Sequence, residues 1–463
     1  MYKFVKLAPV ILLIFTVSFS SGCNWLNSSD SDDSGRGNQP HLPPQGEIVS
    51  PDYNLKFTTR NLDYTIGNNY DTSGLYLRYD APLPTVVTHT NDDGTISVAV
   101  FNDDKNLDDI YIYEYSSDLE FIEIVSLKKE FPLAGAFTKD FDGNYYVFYA
   151  NDVEEGAHYE HNMALVKYDR WGMKENIFTL EAFPDDSLWG VKLPFRAGAC
   201  RMEIAGNLIA VYFARQMFMA YDGLNHQASY GFILNKNTFE KASYDIPYAS
   251  HSFNQFILPD GDDFVFVDHG DAYPRAFAFE KVEKNGAAYN RSINSFTFKY
   301  SYNVHYNFTF AQMGGLVNIA DGYLFMGAYE KTDVADENLN DSRNMFILKL
   351  NRNLSTISEP IWITDYSDKY TENVANPKIA ELAAGRYLLM WECMRNRTYY
   401  TTYAKIIDKD GNTLKDIMEL PRTRLNMNDV LRYNAVTGSV NWAINDYDSK
   451  TIALYSFNPD TRN

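Results

Sequence analysis

Cysteine is nearly missing from this chain of 463 residues; Cys23, Cys200 and Cys393 are the whole supply. Three cysteines exclude a disulfide-stapled scaffold, and without a Cys-x-x-Cys pair there is no thiolate zinc pattern. Cys200 and Cys393 fall in separate repeat units and are expected to be two separate buried thiols. Positive charge is scarce as well. Lys and Arg number 41 against 61 Asp and Glu, a formal net charge of −20. A nucleic-acid surface needs a basic stripe, so that class of partner is excluded. No stretch sustains a helical period with caps at both ends. Past the N-terminal segment no apolar run approaches the ~20 residues that a membrane-spanning helix requires. Nucleophile elbow, phosphate-binding loop and dinucleotide fingerprint are all absent, so no cofactor is expected.

Aromatic residues, by contrast, are plentiful: 35 Tyr and 30 Phe, in a chain that is 45% hydrophobic. Such residues favour the half-buried faces of sheets. The first 22 residues read as a targeting segment. Lys3 and Lys6 precede an apolar core from Leu7 to Phe19, which is too short to span and remain. Ser20-Ser21-Gly22-Cys23 follows. This resembles the lipobox of bacterial lipoprotein precursors, with Ser20 where that family has an aliphatic residue. The resemblance implies acylation of the Cys23 thiol, a mature N-terminus there, and a cell-envelope, extracytoplasmic address anchored to a membrane through lipid. Residues 23–46, rich in Ser, Asp, Gly, Asn and Pro, cannot bury enough surface to fold and read as a disordered tether.

From residue 47 to 463 the pattern changes to short β-rich runs. A glycine-bearing turn followed by an apolar strand recurs seven times. Gly94 leads to ISVAVF, Gly143 to YYVFYA, Gly206 to LIAVYFA, Gly261 to FVFVDH, Gly322 to YLFMGAY, Gly385 to RYLLMWE and Gly438 to VNWAIND. Successive turn glycines stand 49 to 63 residues apart, and further hairpin strands follow in most units, as in MALVKYDRWGMKENIFTL (163–180). Four strands per unit at this period is the signature of propeller blades. The last unit is one strand short, and a strand from Glu47–Asn69 is expected to complete it and remove the open edge. The expectation is therefore an all-β propeller of seven four-stranded blades, closed by an N-terminal strand. Over about residues 70–460 the strand pattern resembles bacterial surface propellers in general.

Polar candidates concentrate in the third and fourth units: Arg196, Arg201, Arg215, His226, His251, His269, Asp271 and Arg275. Of these, Arg215, His226, His251, His269, Asp271 and Arg275 form the candidate ligand site. Arginine beside a carboxylate makes a bidentate clamp, and histidine transfers protons near neutrality. The competing reading of Asp268–Arg275 is a structural corner. Asp408-Lys409-Asp410-Gly411-Asn412 begins like a calcium loop but lacks its distal ligands, so a hairpin turn is expected and no metal site. His158 and His161 are expected to be solvated. Tyr399 and Trp391, near Arg395 and Arg397, are candidates for stacking on sugars, against the alternative of packing between strands. The reading that emerges is a lipid-anchored propeller acting as a binding or interaction module for a glycan or surface protein. One alternative is a polysaccharide lyase or hydrolase using the His/Arg/Asp group; another is a structural envelope lipoprotein.

Overall fold

The computed structural model describes residues 54–460 apart from 65, 67–82, 102–107, 153–162, 181–190, 196–197, 218–222, 224–225, 243–251, 271–275, 286–287, 298–310, 332–342, 356–357, 368–371, 384, 397 and 446–449. The chain divides into Met1–Gln39 and Pro40–Asn463. Everything below concerns the second unit; the targeting segment and tether lie outside the described residues.

The described residues are strands and turns without an α-helix, and the strands form seven antiparallel sheets. The first strand, β1 (Asn54–Asn61), is held for the last sheet. Blade 1 is β2 (Val86–Thr90), β3 (Ile96–Val100), β4 (Asp109–Tyr115) and β5 (Phe121–Lys128). Blade 2 is β6 (Leu133–Lys139), β7 (Tyr145–Ala150), β8 (Met163–Tyr168) and β9 (Lys174–Leu180). Blade 3 holds β10 (Leu193–Pro194), β11 (Cys200–Ala205), β12 (Leu208–Gln216) and β13 (Gln227–Asn235). Blade 4 is β14 (Ser252–Asp260), β15 (Asp263–Gly270), β16 (Ala276–Asn285) and β17 (Ala288–Thr297). Blade 5 is β18 (Gln312–Ile319), β19 (Gly322–Glu330), β20 (Arg343–Asn351) and β21 (Ile361–Trp362). Blade 6 is β22 (Asn373–Leu382), β23 (Arg386–Arg395), β24 (Thr398–Ile407) and β25 (Thr413–Leu420). Blade 7 is β26 (Arg432–Asn434), β27 (Ser439–Asn445) and β28 (Thr451–Asn458), completed by β1.

The seven turn glycines each sit at a hairpin between consecutive strands, as the sequence pattern implies: the first two strands of the blade in six blades, with Gly322 opening β19, and β11 and β12 in blade 3. Gly143 shows why the residue type matters. Its φ of +84° belongs to the left-handed region, which lets its N–H reach the Asp140 carbonyl and close the hairpin. Asp140 and Asp408 hold their own turns in the same way. Asp408 Oδ1 accepts the N–H groups of Asp410 (2.8 Å) and Asn412 (2.9 Å), while Oδ2 accepts from Asn412 Nδ2.

Ring closure is visible in two independent features. Strand β1 pairs along its length with β28, from Asn54 opposite Asn458 to Asn61 opposite Thr451. Every blade also shares a buried apolar cluster with each neighbour. Blades 1 and 2 share Val87, Ala99, Val147 and Tyr149. The series continues through blades 2–3, 3–4, 4–5, 5–6 and 6–7. It returns to the start with Ala443, Ile452 and Leu454 of blade 7 against Val86, Ile96 and Val98 of blade 1. The protein is a seven-bladed β-propeller. Alternate side chains of each strand face opposite neighbours, so both faces of a blade must be apolar; this accounts for the nearly unbroken hydrophobic second strands.

Two blades are less regular than the repeat suggests. In blade 3, β13 turns back at Asn235–Glu240 and continues only as a bridge from Leu234 to Lys241 among the described residues. The short β10 instead pairs with the far end of β12, Leu193 against Gln216. In blade 5 the outer strand is reduced to Ile361–Trp362. Cys200 and Cys393 are buried, unpaired thiols in blades 3 and 6.

Candidate ligand site at the propeller axis

Among the described residues a group of buried charges lies at the axis, and a connector builds it. Residues 421–431 join β25 of blade 6 to β26 of blade 7. Thr423, Arg424, Asn426, Asn428 and Asp429 in this stretch are all nearly inaccessible despite being polar. A buried irregular segment must find partners for its backbone and side chains, and this one finds them on three blades. The Asp429 carboxylate accepts the Thr88 N–H of blade 1 at 2.7 Å. Asn426 Nδ2 donates to the carbonyls of Val86 and Ala443, in blades 1 and 7. On blade 6, Lys378 Nζ donates to the carbonyls of Met427 (3.1 Å) and Asp429 (2.7 Å).

Glu392 of β23 anchors the start of the connector. It is wholly buried, and Arg424 Nε donates to its Oε1 at 3.0 Å. The Leu425 N–H (2.8 Å) and Asn376 Nδ2 (3.1 Å) also donate to this carboxylate. The Arg424 guanidinium lies 4.1 Å from the centre of the Tyr399 ring. Past the connector, Arg432 at the start of β26 reaches Glu203 of blade 3 at 2.9 Å. Blades 7 and 3 are not neighbours, so this ion pair crosses the axis.

A cavity of about 20 Å³ remains. Arg201, Glu203, Asn428, Asp429 and Arg432 supply its polar wall, with Val87, Ala136 and Phe256 among its apolar residues. Arg201 Nη1 donates to the Cys200 carbonyl at 3.1 Å and Nη2 to Asn254 at 3.4 Å. Arg201 Nε and Asn428 Oδ1 are buried with no hydrogen-bond partner among the described residues.

The electrostatics follow from burial. Desolvation pushes Lys378 down to about 7, with the Arg201 charge acting in the same direction. Burial raises the Glu203 carboxyl above its ordinary range, opposed by Arg432. His89, on the inner strand of blade 1, is pushed down to about 3 by burial and by the nearby Arg432 and Lys139 charges, so it is neutral at physiological pH. These are charges held in place by one another. Glu203 is tied to Arg432, Glu392 to Arg424, and Asp429 to backbone N–H groups.

The six residues proposed from sequence are distributed differently. Arg215 is fully buried in β12, where its Nε donates to the Ser229 carbonyl at 3.2 Å and its guanidinium lies 5.7 Å from the Tyr230 ring centre. The His269 ring is 1% exposed and packs against Phe253 (5.8 Å) and Phe277 (5.2 Å). His226 enters β13, and its carbonyl accepts the Met217 N–H at 2.7 Å. His251, Asp271 and Arg275 lie outside the described residues, as do Arg196, Arg397, His158 and His161. Arg201, also among the sequence candidates, reaches the axis.

Between blades 3 and 4 the chain builds a separate polar junction. Tyr212 Oη donates to Asp268 Oδ2 at 2.8 Å and lies 3.0 Å from Ser229 Oγ. Burial lifts the Asp268 carboxyl to about 6, against the pull of the surrounding hydroxyls. Of the sugar-stacking candidates, Trp391 is fully buried with its Nε1 donating to Tyr366 Oη, and Tyr399 Oη donates to the Thr423 carbonyl. Both rings pack within the structure.

The exposed aromatic surface lies elsewhere, on the rim of blades 1 and 2. Trp171 is 73% exposed and Phe141 86%. Met173 and, on the outer strand β5, Phe121, Ile122 and Ile124 are also exposed. Gly172 explains how the two blades meet. Its φ is +84°, and a Cβ there would sit 2.4 Å from the Ser126 carbonyl oxygen, so the β8–β9 turn presses directly on β5. Arg170 lies beside the Trp171 ring, 5.1 Å from its centre.

No known protein family and no curated protein matches the chain. Solved structures of similar fold include the β-propeller domain of the trilobed protease from Pyrococcus furiosus, at 10% identity and a TM-score of 0.43, covering 82% of this chain and 94% of that one. A Dyadobacter fermentans protein of unknown function is 11% identical, with a TM-score of 0.40 and coverage of 76% and 99%. The α-L-arabinofuranosidase of Lactobacillus brevis is 10% identical, with a TM-score of 0.34 and coverage of 63% and 95%. Likenesses this distant say nothing of activity.

Proposed function

We propose that the protein is a lipid-anchored, extracytoplasmic β-propeller that serves as a binding module for a glycan or a protein of the cell surface. The observation that carries this reading is the plugged axis. Among the described residues, the connector 421–431 occupies the axial region with its own side chains, and the cavity beside it, about 20 Å³, holds about one water-sized particle. A sugar ring does not fit in that cavity. The described axial acids are committed to Arg432, Arg424 and backbone N–H groups, so none of these is positioned as the mobile acid or base that polysaccharide cleavage requires. A ligand therefore meets the outside of the ring. The rim of blades 1 and 2 offers the exposed rings that stack on sugars or enter protein interfaces.

The N-terminal segment supplies the anchor in this reading. Acylated Cys23 holds the chain to the membrane, and residues 24–46 link it to the ring. The test combines radiolabelled palmitate incorporation with a glycan array and surface cross-linking. Cys23→Ala should abolish labelling, and Trp171→Ala should remove ligand capture while leaving the melting temperature unchanged. Turnover of a polysaccharide, or capture indifferent to every rim substitution, would overturn the binding reading; labelling of the Cys23→Ala variant would overturn the anchor.

A further inference from the structure

One turn design recurs on this ring with different contents. In blade 6, Asp408-Lys409-Asp410-Gly411 leads from β24 to β25; in blade 2, Asp169-Arg170-Trp171-Gly172 leads from β8 to β9. The opening aspartate accepts two backbone N–H groups in each, those of Asp410 and Asn412 in blade 6 and those of Trp171 and Met173, both at 2.9 Å, in blade 2. The glycines share a left-handed φ, +83° and +84°. Turn geometry therefore calls for Asp and Gly and leaves the two central positions open. Blade 6 fills them with a cation and an acid. Lys409 reaches Asp410 at 3.3 Å, and Lys349 reaches it at 2.6 Å. Blade 2 keeps the cation and puts an indole where the acid stands. Arg170 lies beside the Trp171 ring and makes no ion pair among the described residues.

A second turn of the same design stands against it. A Cβ on Gly143 would sit 3.7 Å from Arg170 Cβ, so the β6–β7 turn, Asp140-Phe141-Asp142-Gly143, lies alongside the β8–β9 turn with Arg170 where they meet. Phe141 and Trp171, 86% and 73% exposed, are the two most exposed large apolar side chains among the described residues. Both turns are held from within. Asp140 accepts the Asn144 N–H at 2.9 Å, the Tyr146 hydroxyl at 2.9 Å and Lys236 Nζ at 3.3 Å. Asp142 is exposed but makes no ion pair with Arg170. The surface is thus prearranged, which lowers the entropy lost on binding.

We propose that these paired turns are the ligand site of the rim and that the ligand is an acidic glycan, a polysaccharide bearing carboxylate or sulfate groups. The inference rests on the binding reading above and narrows it. Trp171 and Phe141 offer flat apolar faces to the C–H faces of sugar rings. Arg170 supplies the planar fork that receives the acidic group, the role Asp410 fills for Lys409 in blade 6. An acidic peptide is the rival ligand, and the backbone of the turns argues against it. The N–H groups of Trp171, Gly172, Met173, Gly143 and Asn144 already donate within the turns. They leave no row of donors for a peptide strand to pair with. The formal charge of −20 repels acidic polymers in general, so their capture needs a local cation. Salt confines that repulsion to about 8 Å at physiological ionic strength.

The experiment is affinity electrophoresis of the full chain through gels containing alginate, polygalacturonate, hyaluronate or chondroitin sulfate. Amylose, xylan and dextran serve as neutral counterparts and polyglutamate as the peptide counterpart. At least one acidic polysaccharide should retard the protein, and the neutral polymers and polyglutamate should not. Trp171→Ala should abolish the retardation. Arg170→Gln should weaken it roughly fivefold, the scale of one exposed charge contact. Arg170→Lys should recover part of the loss, since it restores the charge without the fork. Melting temperatures of the three variants should match that of the unaltered protein. Equal retention by a neutral polymer or by polyglutamate, an Arg170→Gln variant that binds as before, or no retention by any acidic polysaccharide would overturn the proposal. A neutral glycan or surface protein captured through Trp171 and insensitive to Arg170 would overturn the acidic ligand alone and leave the binding reading standing. Turnover of a polymer, or capture unaffected by every rim substitution, would overturn the binding reading with it.

Discussion

The axis and the rim of this propeller invert the usual polarity of a soluble protein. At the axis, Arg424, Glu392, Asp429 and Asn428 are buried together. At the rim of blades 1 and 2, Trp171, Phe141, Met173 and Ile122 are exposed together. The difference teaches where each kind of residue is under structural constraint. Polar groups at the axis satisfy an irregular connector that no sheet ladder can serve, so their removal should be felt as stability. Apolar groups at the rim touch little and should be felt only as recognition.

The strongest way to break the comparison is to open the ring. Deleting residues through 62 removes β1, whose Leu55 and Phe57 are 1% and 6% exposed in the core shared by blades 6 and 7. Burying two such side chains contributes roughly 3–6 kcal/mol, before the lost ladder to β28 is counted. The truncated chain should lose its cooperative melting transition and aggregate through the bared edge, as read by calorimetry and size-exclusion chromatography.

Glu392→Ala tests the axis directly. It leaves Arg424 buried without its counter-charge, and removing one partner of a buried pair costs about 3–5 kcal/mol. Urea denaturation should show that loss, with a smaller one for the isosteric Glu392→Gln. A change below about 1 kcal/mol for the alanine variant would show that the connector does not depend on this carboxylate.

The junction between blades 3 and 4 sharpens the comparison by adding pH. Asp268 is raised from its ordinary value of 3.8 to about 6 by burial. Between those two pH values the folded protein keeps a proton that the unfolded chain has released. Stability from this group is therefore full below about pH 4 and declines as pH rises through about 6. The total is of the order of 3 kcal/mol for a shift of this size. Asp268→Asn mimics the protonated state and should flatten that part of the stability profile, making the variant the more stable form at neutrality. An unchanged profile would show that the carboxyl titrates normally.

The smallest expected effect belongs to the rim. Trp171→Ala should change unfolding free energy by no more than about 0.5 kcal/mol, because the side chain is mostly exposed. A larger loss would move Trp171 into the structural group and erase the contrast with the axis.

Much of the architecture could be read from the chain because its repeat is local. Asp140 to Asn144 and Asp408 to Asn412 specify their own turns through carboxylates that cap nearby N–H groups, and a glycine with positive φ follows at a fixed offset. The strand LIAVYFA is apolar on both faces because it packs between two blades. The site was much less legible. The stretch PRTRLNMNDV (421–430) has the composition of an exposed loop, and nothing local distinguishes it from one. Arg201 could be singled out as a charged residue in a strand, yet Glu203 and Arg432, 229 positions apart in the chain, show no sequence sign of their contact. His269 carries chemistry in its side chain, but its place between Phe253 and Phe277 depends on how β14, β15 and β16 pack.

The sequence by itself determined the number of blades, their internal turns and the strand that closes the ring, since hairpin chemistry and two-residue alternation act over short separations. Only the tertiary structure decided which charges would meet at the axis and which rings would stay in solvent. Closing the ring brings seven inner strands to one line, and burial there depends on neighbours hundreds of residues away.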